Sequence, residues 1–171
     1  MVSAGPGPPR SRQRRFGQNF LADTNLLDTI VRESGAAADD VVLEIGGGGG
    51  ALTERLAPAV ARLHVIELDE GLRPELEALA AEHRNVELTW GDAMRADLAA
   101  LDPPPTKIVS NLPYSVATPL LLRTIEQLPG VGSWTVMVQR EIADRLRAAP
   151  GSRTYGAPSV LVQLADGRGH P

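Results

Sequence analysis

Glu44-Ile45 runs into five consecutive glycines, Gly46 to Gly50, a stretch with no Cβ to keep the backbone from turning sharply and approaching a ligand. Glu67, 21 residues after Gly46, offers two coplanar oxygens that match the two adjacent hydroxyls of a ribose. Gly91-Asp92-Ala93 brings a carboxylate that could accept from the exocyclic amine of an adenine, with Ala93 leaving room for the ring. Asn111-Leu112-Pro113-Tyr114 combines two acceptors, the Asn111 side-chain oxygen and the Leu112 carbonyl, with a stiffening proline and an aromatic face for a base to stack on. An amine attached to a base is planar and poorly nucleophilic. Chemistry on it requires its hydrogens to be oriented and its lone pair aimed, which is alignment rather than strong-base catalysis.

Singly, these clusters are weak signals. Gly46, Gly48 and Ala51 satisfy a loose dinucleotide fingerprint, and a carboxylate at Glu67 suits NAD as well as S-adenosylmethionine. Asp69 reads as the blander, solvated acid, and an isolated Asn-Pro-aromatic cluster is more often a turn. What raises them together is position, since each falls at the end of an expected strand.

Those strands follow from hydrophobic periodicity. A helix is expected from the N-cap Asp23 through Leu26, Leu27, Ile30 and Val31 to Gly35. Val41 to Ile45 reads as a strand, and Ala51, Leu52 and Leu56 resume a helical period. Leu63 to Leu68 is a second strand, followed by a helix through Leu72, Leu76, Leu79 and Ala80 that tolerates Pro74 in its first turn. Val86, Leu88 and Trp90 alternate as a half-buried strand does, and Ile108-Val109 starts another, ending at Ser110. A helix from Pro119 carries Leu120, Leu121, Ile125 and Leu128; Trp134 to Val138 is the fifth strand, with an amphipathic helix through Ile142 and Leu146 after it. Strands alternating with helices predict an α/β, Rossmann-like, doubly wound and mostly parallel sheet. Such sheets bind ligands beyond their carboxyl ends, where the strand order reverses.

The 171 residues, 43% hydrophobic and 22% charged, suit one core, with no internal repeat and no second domain. Val160 to Val162 and Leu56 to Ala61 are too short to span a bilayer, which needs about 20 apolar residues. Met1 to Pro9, rich in Gly and Pro, has no apolar run to act as a secretory signal, so a cytoplasmic location and no membrane partner are expected. With no cysteine and with His64, His83 and His170 scattered, no metal is expected. The net charge of −4 argues against a uniformly basic coat, yet Arg10, Arg12, Arg14 and Arg15 crowd into one arm. Charge alone leaves that arm equally a phosphate contact or a solvated tail. Residues 1–13 are expected to be disordered, 14–164 to form an incomplete catalytic domain and 165–171 an unstructured tail, in a monomer.

In combination the motifs resemble the ribosomal RNA adenine dimethyltransferase family, the small-subunit enzymes that methylate two adjacent adenines near the 3′ end of the RNA. The resemblance runs from about Arg14 to Gln163 and adds Arg15-Phe16-Gly17-Gln18-Asn19-Phe20-Leu21, Val65-Ile66-Glu67-Leu68-Asp69, Gln139-Arg140-Glu141 and Tyr155-Gly156 to the clusters above. It implies S-adenosyl-L-methionine as cofactor, dimethylation of adenine N6 as activity, and ribosomal RNA or the small ribosomal subunit as partner, in ribosome biogenesis. It further implies cofactor contacts from Gln18, Asn19, Leu21, Glu44, Gly46, Gly48, Glu67, Asp92, Ala93 and Asn111. Gly46 would lie under the methionine part, Glu67 would hold the ribose and Asp92 the adenine. Asn111, Leu112, Pro113 and Tyr114 would present the target amine.

Two departures stand out. Gly47 occupies a position where the family usually has proline, which implies a more flexible loop. The family's Phe-Pro-rich loop, two further strands and small helical domain are not seen, so the chain reads as C-terminally truncated. Three other readings remain: a nucleic-acid-binding relative without catalysis, against which the Asn111 to Tyr114 motif argues; an NAD-dependent oxidoreductase, for which no hydride-transfer acid or base is evident; and an antibiotic-resistance methyltransferase of large-subunit RNA, from which Leu112 beside Pro113-Tyr114 leads away.

Overall fold

The computed structural model describes residues 24–112 and 115–165. The expectations placed on the basic arm, Asp23, Gln18, Asn19, Leu21, Pro113, Tyr114 and residues 166–171 lie outside these. Five strands form, β1 (Val41–Ile45), β2 (Arg62–Glu67), β3 (Val86–Trp90), β4 (Lys107–Asn111) and β5 (Ser133–Met137). They pair in the order β3-β2-β1-β4-β5, every pair parallel. The helices are α1 (Thr24–Ser34), α2 (Thr53–Leu56), α3 (Arg73–Glu82), α4 (Ala117–Gln127), α5 (Arg140–Leu146) and α6 (Ala157–Ala165). This is the doubly wound architecture expected from the alternation of elements.

Period-two alternation assigns each strand residue to a face. Leu43 and Ile45 pack with Ile66, Ile108 and the α4 residues Ala117, Leu120 and Leu121 on one side; Val42 packs with Leu63, Val65, Val109 and residues of α1 and α2 on the other. With both faces covered, all of β1 is buried, which is why it can be apolar at nearly every position. Each such Leu or Ile contributes about 1.5–3 kcal/mol relative to exposure, enough for this central strand to anchor the sheet. At the outer end, the Arg73 guanidinium lies 4.4 Å from the centroid of the Trp90 ring and ties α3 to β3.

The amino ends of β1 and β4 are clamped. Lys107 Nζ lies 2.9 Å from Asp40 Oδ2 and also donates to the Gly35 carbonyl, while the Thr106 hydroxyl donates to Asp40 Oδ1 at 2.9 Å. Burial alone would raise the Asp40 pKa, but the Lys107 hydrogen bond, helped by the Ala37 N–H, Thr106 and the Lys107 charge, holds it below the ordinary carboxylate value. Gly35 stops α1 with φ of +55°, as expected.

Several boundaries differ from the sequence reading. β2 and β5 each begin and end one residue early, and β4 runs through Asn111 rather than stopping at Ser110. α4 starts at Ala117, placing Pro119 in its first turn, where a missing N–H leaves no helical bond unmade. The helix after the glycines is one turn long before Pro58 carries the chain into a 3-10 turn, Ala57–Ala59. α6 was not expected at all. Its Val160-Leu161-Val162 core has no helical spacing, and the helix is held instead by bonds to α5: Ser159 Oγ donates to the Arg145 carbonyl at 2.6 Å, and Gln163 Nε2 donates to the Leu146 and Ala148 carbonyls at 3.0 and 2.9 Å.

Candidate functional site

Because every strand is parallel, all five carboxyl ends share one rim, and the order reverses between β1 and β4. Each loop is stitched to the neighbouring strand as it leaves: Gly46 N–H to the Ile66 carbonyl at 2.8 Å, Gly91 N–H to the Glu67 carbonyl at 2.8 Å, and Leu112 N–H to the Met137 carbonyl at 3.0 Å. The β1–β4 register covers only Val42↔Lys107 and Leu43↔Ile108. Higher up, the Ile45 N–H donates instead to the Ser110 side-chain hydroxyl at 2.8 Å. A serine side chain thus stands in for a backbone partner near the carboxyl ends of β1 and β4, at the reversal point where the ligand crevice of such sheets lies.

The glycine loop lines that crevice. Gly46, Gly48 and Gly50 have φ of +82°, +57° and +84°, values that other residues rarely adopt. A Cβ on Gly46 would lie 3.8 Å from the Asn111 carbonyl oxygen, so the backbones of these two expected site residues are neighbours at the reversal point. Gly47 turns out to serve close packing. A Cβ there would fall 2.6 Å from Val65 Cγ1 and 3.3 Å from both δ carbons of Leu76, so the loop backbone lies directly on β2 and α3.

Three acids sit around the loop in three different states. Glu67 is buried at the end of β2 and is held by backbone donors on both oxygens, Gly48 N–H on Oε2 at 2.9 Å and Asp69 N–H on Oε1 at 2.7 Å. A carboxylate oxygen accepts two bonds, so each retains one acceptor position. Glu44 lies beneath the loop, where the Thr53 hydroxyl donates to its Oε2 at 2.7 Å. Burial, with the Glu67 charge adding to it and the Thr53 bond opposing, lifts its pKa to about 8, so the acid is largely protonated at neutral pH. Asp92 is part-exposed; its Oδ1 accepts the Met94 N–H at 2.9 Å, and Oδ2 lies 3.8 Å from Arg95 Nε. Beside it, a Cβ on Gly91 would meet nothing within 4 Å, which marks open space above β3, and Ala93 is buried in the apolar cluster.

The fold therefore gathers Glu44, Gly46, Gly48, Glu67, Asp92, Ala93, Asn111 and Leu112 along one rim. Asp69, read from the sequence as a solvated acid, is part-buried and caps the turn at Glu70–Leu72 by accepting the Gly71 N–H at 2.9 Å. Two contributors went unnoticed in the sequence, Ser110 and Thr53. Both are fully buried hydroxyls, and the available signal was a small polar residue inside or beside an otherwise apolar run. The site fits a nucleoside-bearing cofactor on its own chemistry: a cradle of positive-φ glycines, a carboxylate with two acceptor positions left, and open space beside an acid that can receive an amine.

Comparison with known proteins agrees with this geometry. The family described as ribosomal RNA adenine dimethylase matches residues 10–166. A ribosomal RNA small subunit methyltransferase A from Rubrobacter xylanophilus is 44% identical over 156 residues, covering 91% of this chain and 58% of that protein. Among solved structures, a dimethyladenosine transferase from Plasmodium falciparum superposes with a TM-score of 0.76 at 28% identity, covering 85% of this chain and 52% of that one. The 23S rRNA methyltransferase ErmE gives 0.65 at 28% identity, with 74% and 50% covered. An RNA methyltransferase from Salinibacter ruber in complex with S-adenosyl-L-homocysteine gives 0.53 at 26%, with 60% and 67% covered. The chain spans 50% to 58% of the length of the curated relatives it matches.

Proposed function

Since the chain belongs to the ribosomal RNA adenine dimethylase family, with the Rossmann-like fold of S-adenosylmethionine-dependent methyltransferases, we propose that it serves in the dimethylation of adenine N6 in small-subunit ribosomal RNA. Its targets on this reading are two adjacent adenines near the RNA 3′ end, modified in the cytoplasm during ribosome biogenesis. The observation that carries the proposal is the proximity of the Gly46 and Asn111 backbones at the carboxyl ends of β1 and β4, which supports reading the glycines as a cofactor loop next to a motif for the target amine.

S-adenosylmethionine, when bound, supplies an electrophilic methyl group on its sulfonium. The chain's residues do the rest by placement. Gly46 and Gly48 allow close approach of the methionine part, Glu67 accepts the ribose hydroxyls on its two remaining positions, and Asp92 accepts the adenine amine, with Ala93 against the ring. Across the crevice, the Asn111 side-chain oxygen and the Leu112 carbonyl accept the hydrogens of the target amine, so that its lone pair points at the methyl group. On this reading the roles of stiffening the loop and of stacking on the base fall to Pro113 and Tyr114. Glu44, neutral and bonded to Thr53, ties the end of β1 to the start of α2. No residue need act as a strong base, and the rate gain comes from orientation.

Small and large ribosomal subunits lacking the modification, each incubated with the protein and isotopically labelled S-adenosylmethionine, test this directly. Mass spectrometry of the digested RNA should show labelled N6,N6-dimethyladenosine from the 3′ end. Label confined to large-subunit RNA would replace the substrate, and cofactor binding with no label in either RNA would overturn the transfer reaction.

A further inference from the structure

Charge is distributed unevenly over the two sides of the crevice. Residues 41–100, which build β1 to β3 with their helices, carry five Lys or Arg against eleven Asp or Glu; residues 101–165, which build β4, β5 and α4 to α6, carry six against four. Within the second group the positive charge concentrates at the end of α5 and the turn after it, in Arg145, Arg147 and Arg153. All three are exposed, and among the described residues none of them forms an ion pair. Arg140, at the start of the same helix, is instead partnered by Asp144 at 3.7 Å.

This basic corner is fixed in place, and α5 connects it to the rim. The last carbonyls of a helix have no partner within it. Here those of Arg145, Leu146 and Ala148 are taken by Ser159 and Gln163 of α6, and Ser159 is fully buried. α6 packs against both α4 and α5, so the three helices share one sheet face. α5 begins three residues after β5 ends, beside Leu112, whose N–H is bonded to Met137. Seven helical residues then carry the chain about 10 Å from the rim to the corner.

We infer that Arg145, Arg147 and Arg153 form a docking surface for the phosphate backbone of the RNA substrate, running from the target side of the crevice along α5. The inference rests on the proposed function, and it assigns the strand's approach to the β4–β5 side. Unpaired guanidiniums on an anchored turn lose little freedom on binding and release condensed counterions from the RNA. The acidic β1–β3 side repels the same backbone and leaves the cofactor entrance clear.

The test compares two sets of three substitutions with equal change in net charge. One carries Arg145→Gln, Arg147→Gln and Arg153→Gln; the control carries Arg32→Gln, Arg62→Gln and Arg84→Gln on α1, β2 and the turn after α3. Affinity for a fluorescein-labelled single-stranded RNA of mixed sequence is measured across salt concentrations, with S-adenosylmethionine affinity measured alongside. The corner set should weaken RNA binding about 100-fold at 0.1 M salt and make the slope of log affinity against log salt shallower by about 2, with cofactor affinity unchanged. The control set should weaken RNA binding less than about three-fold. Lysine at the same three corner positions should restore binding, and its failure to do so would overturn the charge-based account. Equal losses in the corner and control sets would overturn the docking surface while leaving the methyltransferase reading standing. Absence of RNA binding by the unsubstituted protein would overturn the docking surface, while the methyltransferase reading stands or falls on labelled transfer to ribosomal subunits.

Discussion

The two sides of the crevice are built differently. Above β1 to β3, each acidic side chain is already engaged by the protein: Glu67 by Gly48 and Asp69, Glu44 by Thr53, Asp92 by Met94. Above β4 and β5, the rim is joined through the backbone bond from Leu112 to Met137, and every residue of β5 is only part-buried, whereas all of β1 is buried. On the proposed function, the difference follows the size of what each side is to hold. A small cofactor can be met by a pocket whose acceptors are set beforehand, so little ordering is lost on binding. A polyanion is met by charges spread over an exposed face, where each contact is weak and salt-dependent.

The largest expected effect separates the two sides at Asn111. Asn111→Ala should lower the rate of methyl transfer about 100- to 1000-fold by removing one oriented acceptor, while S-adenosylmethionine affinity falls about five-fold or less, the worth of one neutral hydrogen bond. Single-turnover kinetics beside titration calorimetry reads both, and equal losses would show the sides to be inseparable. Gly47→Ala probes the packed cofactor side. It should cost about 1–3 kcal/mol in urea unfolding, and Val65→Ala in the same chain should recover part of it, because the new Cβ meets Val65 Cγ1. A loss under about 0.5 kcal/mol would mean that the loop stands clear of β2.

Glu44 gives a smaller, pH-dependent signature. Its pKa is about 8 in the folded protein against 4.5 as the reference value, so between these limits the folded state holds a proton that the unfolded state has lost. Stability is therefore greatest at the acidic end and declines as pH rises through about 8. Thermal midpoints should fall by several degrees between about pH 5.5 and 8.5, and Glu44→Gln should flatten that fall; parallel curves would place the ionised acid in the native state. The smallest effect belongs to the looser side. Trp134→Phe removes the Nε1–H bond to Thr124 Oγ1 at 3.1 Å and should cost about 1 kcal/mol in unfolding, with cofactor affinity unaltered.

Much of this was legible in the sequence where one local signal sufficed. Val41 to Ile45 needed only its apolar run, and Glu67 and Asp92 could be placed because strand ends determine where side chains meet a ligand. Contacts distant in sequence were not legible. Ser110 acts on Ile45 from 65 residues away, α6 depends on carbonyls of α5 rather than on its own spacing, and Gly47 looked like a source of freedom until β2 and α3 were seen against it. Glu44 was read as a cofactor contact from its motif; its burial and its bond from the Thr53 hydroxyl, nine residues on, could not be read from the sequence.

The most direct test of a preformed cofactor side is calorimetric titration of the protein with S-adenosylmethionine and with NAD, repeated on Glu67→Ala. The account predicts binding of S-adenosylmethionine, no response to NAD, and a loss of about 100-fold in the variant, the worth of two hydrogen bonds to a carboxylate. Binding of S-adenosylmethionine that Glu67→Ala leaves unchanged, or equal binding of NAD, would contradict it.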